Sequence, residues 1–235
     1  QIQSAIDNLN DVFSGDIGNT GTDIPIRFAL ASRAPGGGAT NGINRINATG
    51  VEDYENIGIT ADASRLNLFN LSRWNPAEYI NIWTTNLINN GTSTKGFATL
   101  PPADLRYDGI VLLYNNMGYD PTGSLGYTME SGRTQNETLI HEMGHYLNLY
   151  HTFQGDDSGC PSDSDCNTDG DLCCDTDPHQ RTSSVGCWTG VTNSCTGSYF
   201  GTVVQNYMAY SSESCRDRFT SDQIDRMTAT ISGTR

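Results

Sequence analysis

Three of the four histidines of this 235-residue chain fall within eleven positions, His141-Glu142-Met143-Gly144-His145-Tyr146-Leu147-Asn148-Leu149-Tyr150-His151. On a helix, residues four apart lie one above the other, so His141 and His145 project from one face toward a common point. Neutral imidazole suits zinc, and three protein ligands leave the fourth position of a tetrahedral ion to water. Glu142 follows the first ligand and can reach that water without binding the metal, as a general base must. His151 lies six residues beyond His145, out of reach of a straight helix. The chain must turn sharply at Asn148, and asparagine is, after glycine, the residue that best accepts a left-handed backbone. Two unrelated surface histidines would account for the five residues His141 to His145 but not for His151. The pattern predicts one zinc ion on His141, His145 and His151, with Glu142 activating water.

The elements that must position these residues follow from periodicity. Ile2, Ala5, Ile6, Leu9 and Phe13 form a helical stripe. Residues 24–31 read as a strand. Asn75-Pro76 reads as a helix start, with Tyr79, Ile80, Trp83, Leu87 and Ile88 on its apolar face. Phe97 to Leu100 and Ile110 to Tyr114 read as strands, the second buried on both sides. Residues 134–149 read as the metal-bearing helix, opened by a Thr134–Glu137 capping box, and residues 221–231 as a short last helix. After Tyr150 the texture shifts to Gly, Ser, Asp, Thr and Cys with little periodicity. One catalytic domain in two lobes is expected, an N-terminal α/β lobe over 1–148 and an irregular, crosslinked lobe over 149–235.

Composition narrows the function classes. Hydrophobic residues make up 36% of the chain, and no stretch approaches the ~20 apolar residues of a membrane-spanning helix. The start, Gln1-Ile2-Gln3-Ser4, carries no signal-peptide pattern and reads as a processed or trimmed domain. A net charge of −14 argues against a nucleic-acid partner, whose phosphates bind Lys and Arg. The acids are not evenly spread: eight aspartates and no Lys or Arg lie between Asp156 and Asp177, which suits solubility or a divalent cation. All seven cysteines lie in the last third, without a paired CxxC set. Disulfides in an oxidising compartment fit better than a zinc cluster, and the odd count leaves at least one thiol free or paired outside the chain.

The zinc motif, with Asn148 where glycine is usual, resembles that of the metzincin clan of zinc peptidases. Asn206-Tyr207-Met208-Ala209-Tyr210 is similar to that clan's Met-turn, which underlies the metal site. More narrowly, the chain resembles the pappalysin family along nearly its whole length. The matching stretches include Trp74-Asn75-Pro76, Gly96-Phe97-Ala98-Thr99-Leu100-Pro101, Asp108-Gly109-Ile110-Val111, Tyr150-His151-Thr152-Phe153, Asp175-Thr176 and Phe219-Thr220-Ser221-Asp222-Gln223.

The resemblance implies an α+β metzincin-type catalytic domain. A twisted mixed sheet with helices would form the N-terminal lobe and a disulfide-rich lobe the C-terminal part, with the active-site cleft between. It implies a secreted zinc endopeptidase acting on protein or peptide substrates, made with an inhibitory prosegment, monomeric, and free of membrane and nucleic-acid partners. Tyr210 would stabilise the oxyanion, Met208 would mark the Met-turn, and substrate would add as a strand beside residues 96–99. Structural calcium would sit on Asp171, Asp175 and Thr176. Disulfides would join Cys160 to Cys195 and Cys187 to Cys215, with Cys166 to Cys173 or Cys174 as a third. The family's preference for a basic residue after the scissile bond rests on an acid before the cysteine that follows the Met-turn. Ser214 stands there, beside Glu213. The competing readings are an inactive binding module of the same fold, a zinc hydrolase of non-peptide substrates, and a calcium-dependent adhesion domain that leaves the histidine spacing unexplained.

Overall fold

A computed structural model describes the chain apart from residues 52, 53, 63, 64, 103, 163, 184, 234 and 235. Its regular elements are α1 (Ile2–Ser14), α2 (Tyr54–Ile57), α3 (Leu66–Ser72), β1 (Ile82–Thr85), β2 (Gly96–Ala98), β3 (Ile110–Leu113), α4 (Glu137–Tyr146) and α5 (Ser221–Ser232). Two compact units emerge: Gln1–Asn10 with Arg27–Tyr146, and Asp11–Ile26 with Leu147–Thr234. Both units are discontinuous in sequence, unlike the contiguous lobes 1–148 and 149–235 expected from composition. That residues 11–26 belong with the second unit could not be foreseen from a linear cut.

The first unit is built on a mixed three-stranded sheet of order β1-β3-β2, with β1 parallel and β2 antiparallel to β3. Ile110, Val111 and Leu112 are fully buried, as an unalternating apolar run in a central strand requires. On one side Val111 joins Ile59, Leu68, Phe69 and Ile88 in a cluster on which Trp83 and Phe97 pack. Trp83 stacks on Phe69 with centroids 3.7 Å apart, and its indole N–H donates to Ser72 Oγ at 3.0 Å. Helix α4 packs against β2 and β3.

The structure departs from the sequence expectation in three stretches. The helix expected after Asn75-Pro76 is one turn, in which the Glu78 and Tyr79 amides donate to the Asn75 carbonyl, followed by strand β1. Ile82, Trp83, Thr84 and Thr85 are β-branched or aromatic, and pairing with β3 overrides a stripe that also matches helical spacing. Residues 24–31 form no strand, and the Ile26 amide turns back to the Ile24 carbonyl at 2.7 Å. The Phe28 amide and carbonyl are both taken by the Asn10 side chain (2.8 Å each), which stands in for a neighbouring strand. Helix α4 begins at Glu137 rather than Thr134, because Asn136 sits at φ 62. There Asn136 donates to the Ala5 carbonyl (2.8 Å) and accepts from the Gly118 amide (3.1 Å), which fixes the chain just ahead of the helix.

The second unit has α5 and little other regular structure. Three disulfides tie it, Cys160–Cys195, Cys166–Cys174 and Cys187–Cys215, each worth about 2–4 kcal/mol in loop entropy, while Cys173 is free and buried. Segment 11–26 is laced into this unit by Asn19. Its side chain donates to the Val12 carbonyl (2.7 Å) and accepts from the Phe219 amide (2.9 Å), and Phe13 meets Phe219 edge-on at 5.9 Å.

Asn19 is 2% exposed, so Asn19→Ala strands two buried backbone groups. It should cost roughly 2 kcal/mol, read as a lower urea midpoint at unchanged slope. An unchanged midpoint would show that Asn19 does not hold this segment.

Candidate metal centre

All ten residues of α4 are buried, so its histidines are held by packing on every side. His141 and His145 are 6% and 8% exposed and meet edge-to-face with centroids 4.7 Å apart, the arrangement expected of side chains one turn apart. At the end of α4, Tyr146 donates from its hydroxyl to the buried Asp108 carboxylate at 3.1 Å.

Two residues later Asn148 adopts φ 77, the left-handed conformation the histidine spacing demanded. The turn is pinned by Arg226 of α5, whose Nε donates to the Asn148 carbonyl at 2.6 Å and whose Nη2 donates to its Oδ1 at 3.3 Å. The same guanidinium lies 5.3 Å above the Tyr150 ring. Beyond the turn comes His151. The ligand atoms of His141, His145 and His151 all lie within 4.8 Å of one another. Three imidazoles within that span can share one ion that takes nitrogen at ~2.0–2.1 Å, so the donor set fits zinc.

Glu142 is 5% exposed and packs beneath β2. A Cβ on Gly96 would lie 3.0 Å from Glu142 Cγ and 2.8 Å from Leu112 Cδ2, so glycine is what lets the strand approach the carboxylate. Since β3 pairs with one edge of β2, the other edge carries no strand among the described residues.

The Met208 segment is anchored independently. Asn206 Oδ1 accepts the Met208 amide (2.8 Å), and the Asn206 amide group donates to Gln223 Oε1 (2.8 Å). Gln223 completes the Thr220 capping box of α5, so one buried side chain caps the helix and holds the turn. The Met208 carbonyl accepts from Thr152, the residue after His151 (3.3 Å). Tyr210 is 41% exposed, its amide donating to the buried Thr182 hydroxyl at 3.1 Å and its ring 4.8 Å from that of His151.

The acidic loop contains a cavity of about 10 Å³, room for one water-sized particle, lined in part by Thr152, Asp169, Asp171, Cys173 and Thr176. Asp171 Oδ2, Thr176 Oγ1 and Thr152 Oγ1 are buried there without a hydrogen-bond partner. Burial pushes the Asp171 carboxyl up to about 7, against the Cys173 amide, which favours the charge. Burial likewise pushes the Cys173 thiol up to about 12, with Asp171 adding to the shift. Next to Asp171, Leu172 is held at φ 62, a conformation a branched side chain resists. Asp175 is not among the cavity's lining residues. Its Oδ2 accepts the Asp222 amide (3.0 Å) at the start of α5, where a carboxylate suits the exposed amides of a helix N-terminus. Asp171 and Thr176 thus come together and Asp175 stands apart. Glu213, beside Ser214, is nearly buried and paired with Arg216 at 3.5 Å, so its charge is committed within the fold.

Arg226 and Thr182, which the sequence does not single out, do their work across the fold rather than within a motif.

The family model described as pregnancy-associated plasma protein-A (Peptidase_M43) matches residues 64–232. An extracellular metalloprotease of Neurospora crassa is 39% identical over 126 residues, covering 54% of this chain and 38% of that protein. Human pappalysin-1 is 41% identical over 99 residues, 38% of this chain and 6% of that protein. The chain spans about two fifths of the length of the fungal relatives it matches. Among solved structures, a promirolysin mutant of Tannerella forsythia superposes with TM-score 0.73 at 29% identity, covering 97% of this chain and 72% of that one. Mature mirolysin of the same organism, in complex with a cleaved peptide, gives 0.69 at 29% identity, covering 97% and 82%. With a family match across most of the chain, and a metzincin-like fold beneath it, this protein belongs to the pregnancy-associated plasma protein-A family of peptidases.

Proposed function

We propose that this chain is a secreted zinc endopeptidase, with zinc on His141, His145 and His151 and Glu142 as general base. The observation that carries the reading is the convergence of three imidazoles, two of them on a fully buried helix that also bears Glu142. Bound zinc would supply Lewis acidity, lowering the pKa of water and polarising the scissile carbonyl. Glu142 Oε takes a proton from the attacking water and delivers it to the leaving amine nitrogen. The Tyr210 hydroxyl donates a hydrogen bond to the oxygen on which negative charge develops. The substrate pairs as an extra strand with the outer edge of β2, which brings its backbone past Gly96 and so past Glu142. One structural neighbour is described with a cleaved peptide, which supports a peptide substrate.

Secretion is supported by relatives named extracellular metalloproteases and by three disulfides, which persist in oxidising compartments. No helix among the described residues is long and apolar enough to cross a membrane. An inhibitory prosegment fits the promirolysin neighbour, and a single-chain site suits a monomer.

A structural calcium ion belongs to the same proposal, held by Asp171 and Thr176 together with loop carbonyls. Three unpartnered buried oxygens around a cavity of ion size support it, since a hard cation takes such ligands at 2.3–2.6 Å.

Glu142→Gln should lower cleavage of an unstructured protein such as casein by at least ~100-fold while zinc stays near one per chain by elemental analysis. Cleavage at the unmodified rate would remove Glu142 from its role. Saturating calcium should raise the melting temperature by about 5–10 °C, and Asp171→Asn should abolish that rise. A melting temperature indifferent to calcium, or an equal rise in the variant, would exclude the site.

A further inference from the structure

We infer that Phe153 is a positioning residue, a single ring that holds His151 and Tyr210 in their working orientations. This rests on the zinc and oxyanion roles proposed above. The Phe153 ring is 3% exposed and stacks on His151 with centroids 4.7 Å apart and planes only 9° from parallel. It meets Tyr210 at 4.7 Å with planes at 58°, and Tyr210 meets His151 at 4.8 Å and 67°. The three rings therefore touch pairwise, and the buried one is Phe153.

An exposed tyrosine ordinarily samples several staggered rotamers, and a half-buried imidazole turns about its own terminal torsion. Stacking against a flat, fixed ring removes both freedoms, because either motion must break face or edge contact with Phe153. Phe153 itself is fixed from behind. His179, fully buried, meets it edge-on at 6.2 Å and is oriented by a contact of its Nδ1 with the Gln180 carbonyl at 2.7 Å. The Arg181 guanidinium lies 5.4 Å over the ring, held by Asp156 at 3.2 Å and Asp157 at 3.3 Å. Thr182, in the same segment, accepts the Tyr210 amide. Four consecutive residues, His179 to Thr182, thus brace both Phe153 and the backbone of Tyr210. A core filler would need volume only; this arrangement uses the plane of the ring, which leucine or methionine cannot supply.

The test is a double-mutant cycle on the zinc-loaded protein with a fluorogenic peptide, together with the rate of zinc release to a chromophoric chelator. Phe153→Leu should lower kcat about tenfold with KM within about twofold, and should speed zinc release several-fold. In a Tyr210→Phe background the same change should lower kcat by a clearly smaller factor, since the hydroxyl it would misplace is gone and only the share acting through His151 remains. Equal factors in the two backgrounds, or unchanged zinc release, would reduce Phe153 to core filling and overturn the inference. Should Phe153→Leu melt below the assay temperature, Phe153→Met, which keeps more of the bulk, serves in its place. A wild-type rate for Tyr210→Phe alone would instead remove the oxyanion role of Tyr210, a failure of the functional reading recognisable before Phe153 is touched.

Discussion

A helix that carries two ligands of one ion cannot carry the third six residues further on. The chain must stop its helix and reverse within that interval, and an L-residue in the left-handed conformation costs about 1–2 kcal/mol unless it is glycine or asparagine. Asn148 meets this constraint at φ 77, and Arg226 takes both its carbonyl and its side-chain oxygen. Much of the second unit can be understood as the support for that turn. Helix α5 supplies Arg226, and its capping residue Gln223 reaches the Asn206–Met208 segment, whose carbonyl accepts from the residue beyond His151. One short helix therefore braces the chain on both sides of His151.

The first unit answers a different requirement, that the Glu142 carboxylate beside His141 be held in place. Burying all of α4 fixes Glu142, and a glycine in β2 leaves space for it beneath an edge where a strand can add. The acidic loop combines features that are costly alone: a buried carboxylate, a leucine at positive φ and unpartnered hydroxyls. A cation would offset them together.

What the sequence made legible was local. The zinc motif, the turn at Asn148, α1, β3 and α5 each rest on spacing or capping within a few residues, where periodicity has a single reading. The misread stretches had two. Ile80, Trp83 and Leu87 satisfy helical spacing, but the β-branched and aromatic run at 82–85 is settled by β3, some thirty residues away. Residues 24–31 have the composition of a strand, yet the side chain of Asn10 occupies the groups a strand would pair. Asp175 resembles its loop neighbours in sequence and is drawn off by the amide of Asp222. Arg226 carries no signature of its own, and Phe153 stands in a matching stretch without a role, because their roles exist only once the chain is folded.

The central claim is that three imidazoles, and no fourth side chain, bind one zinc ion. Zinc K-edge X-ray absorption on the loaded protein tests it most directly. Three imidazole nitrogens at ~2.0–2.1 Å and one light exchangeable ligand are predicted, with one imidazole lost in His151→Ala. An identical spectrum for that variant, or four protein ligands in the unaltered chain, would contradict the account.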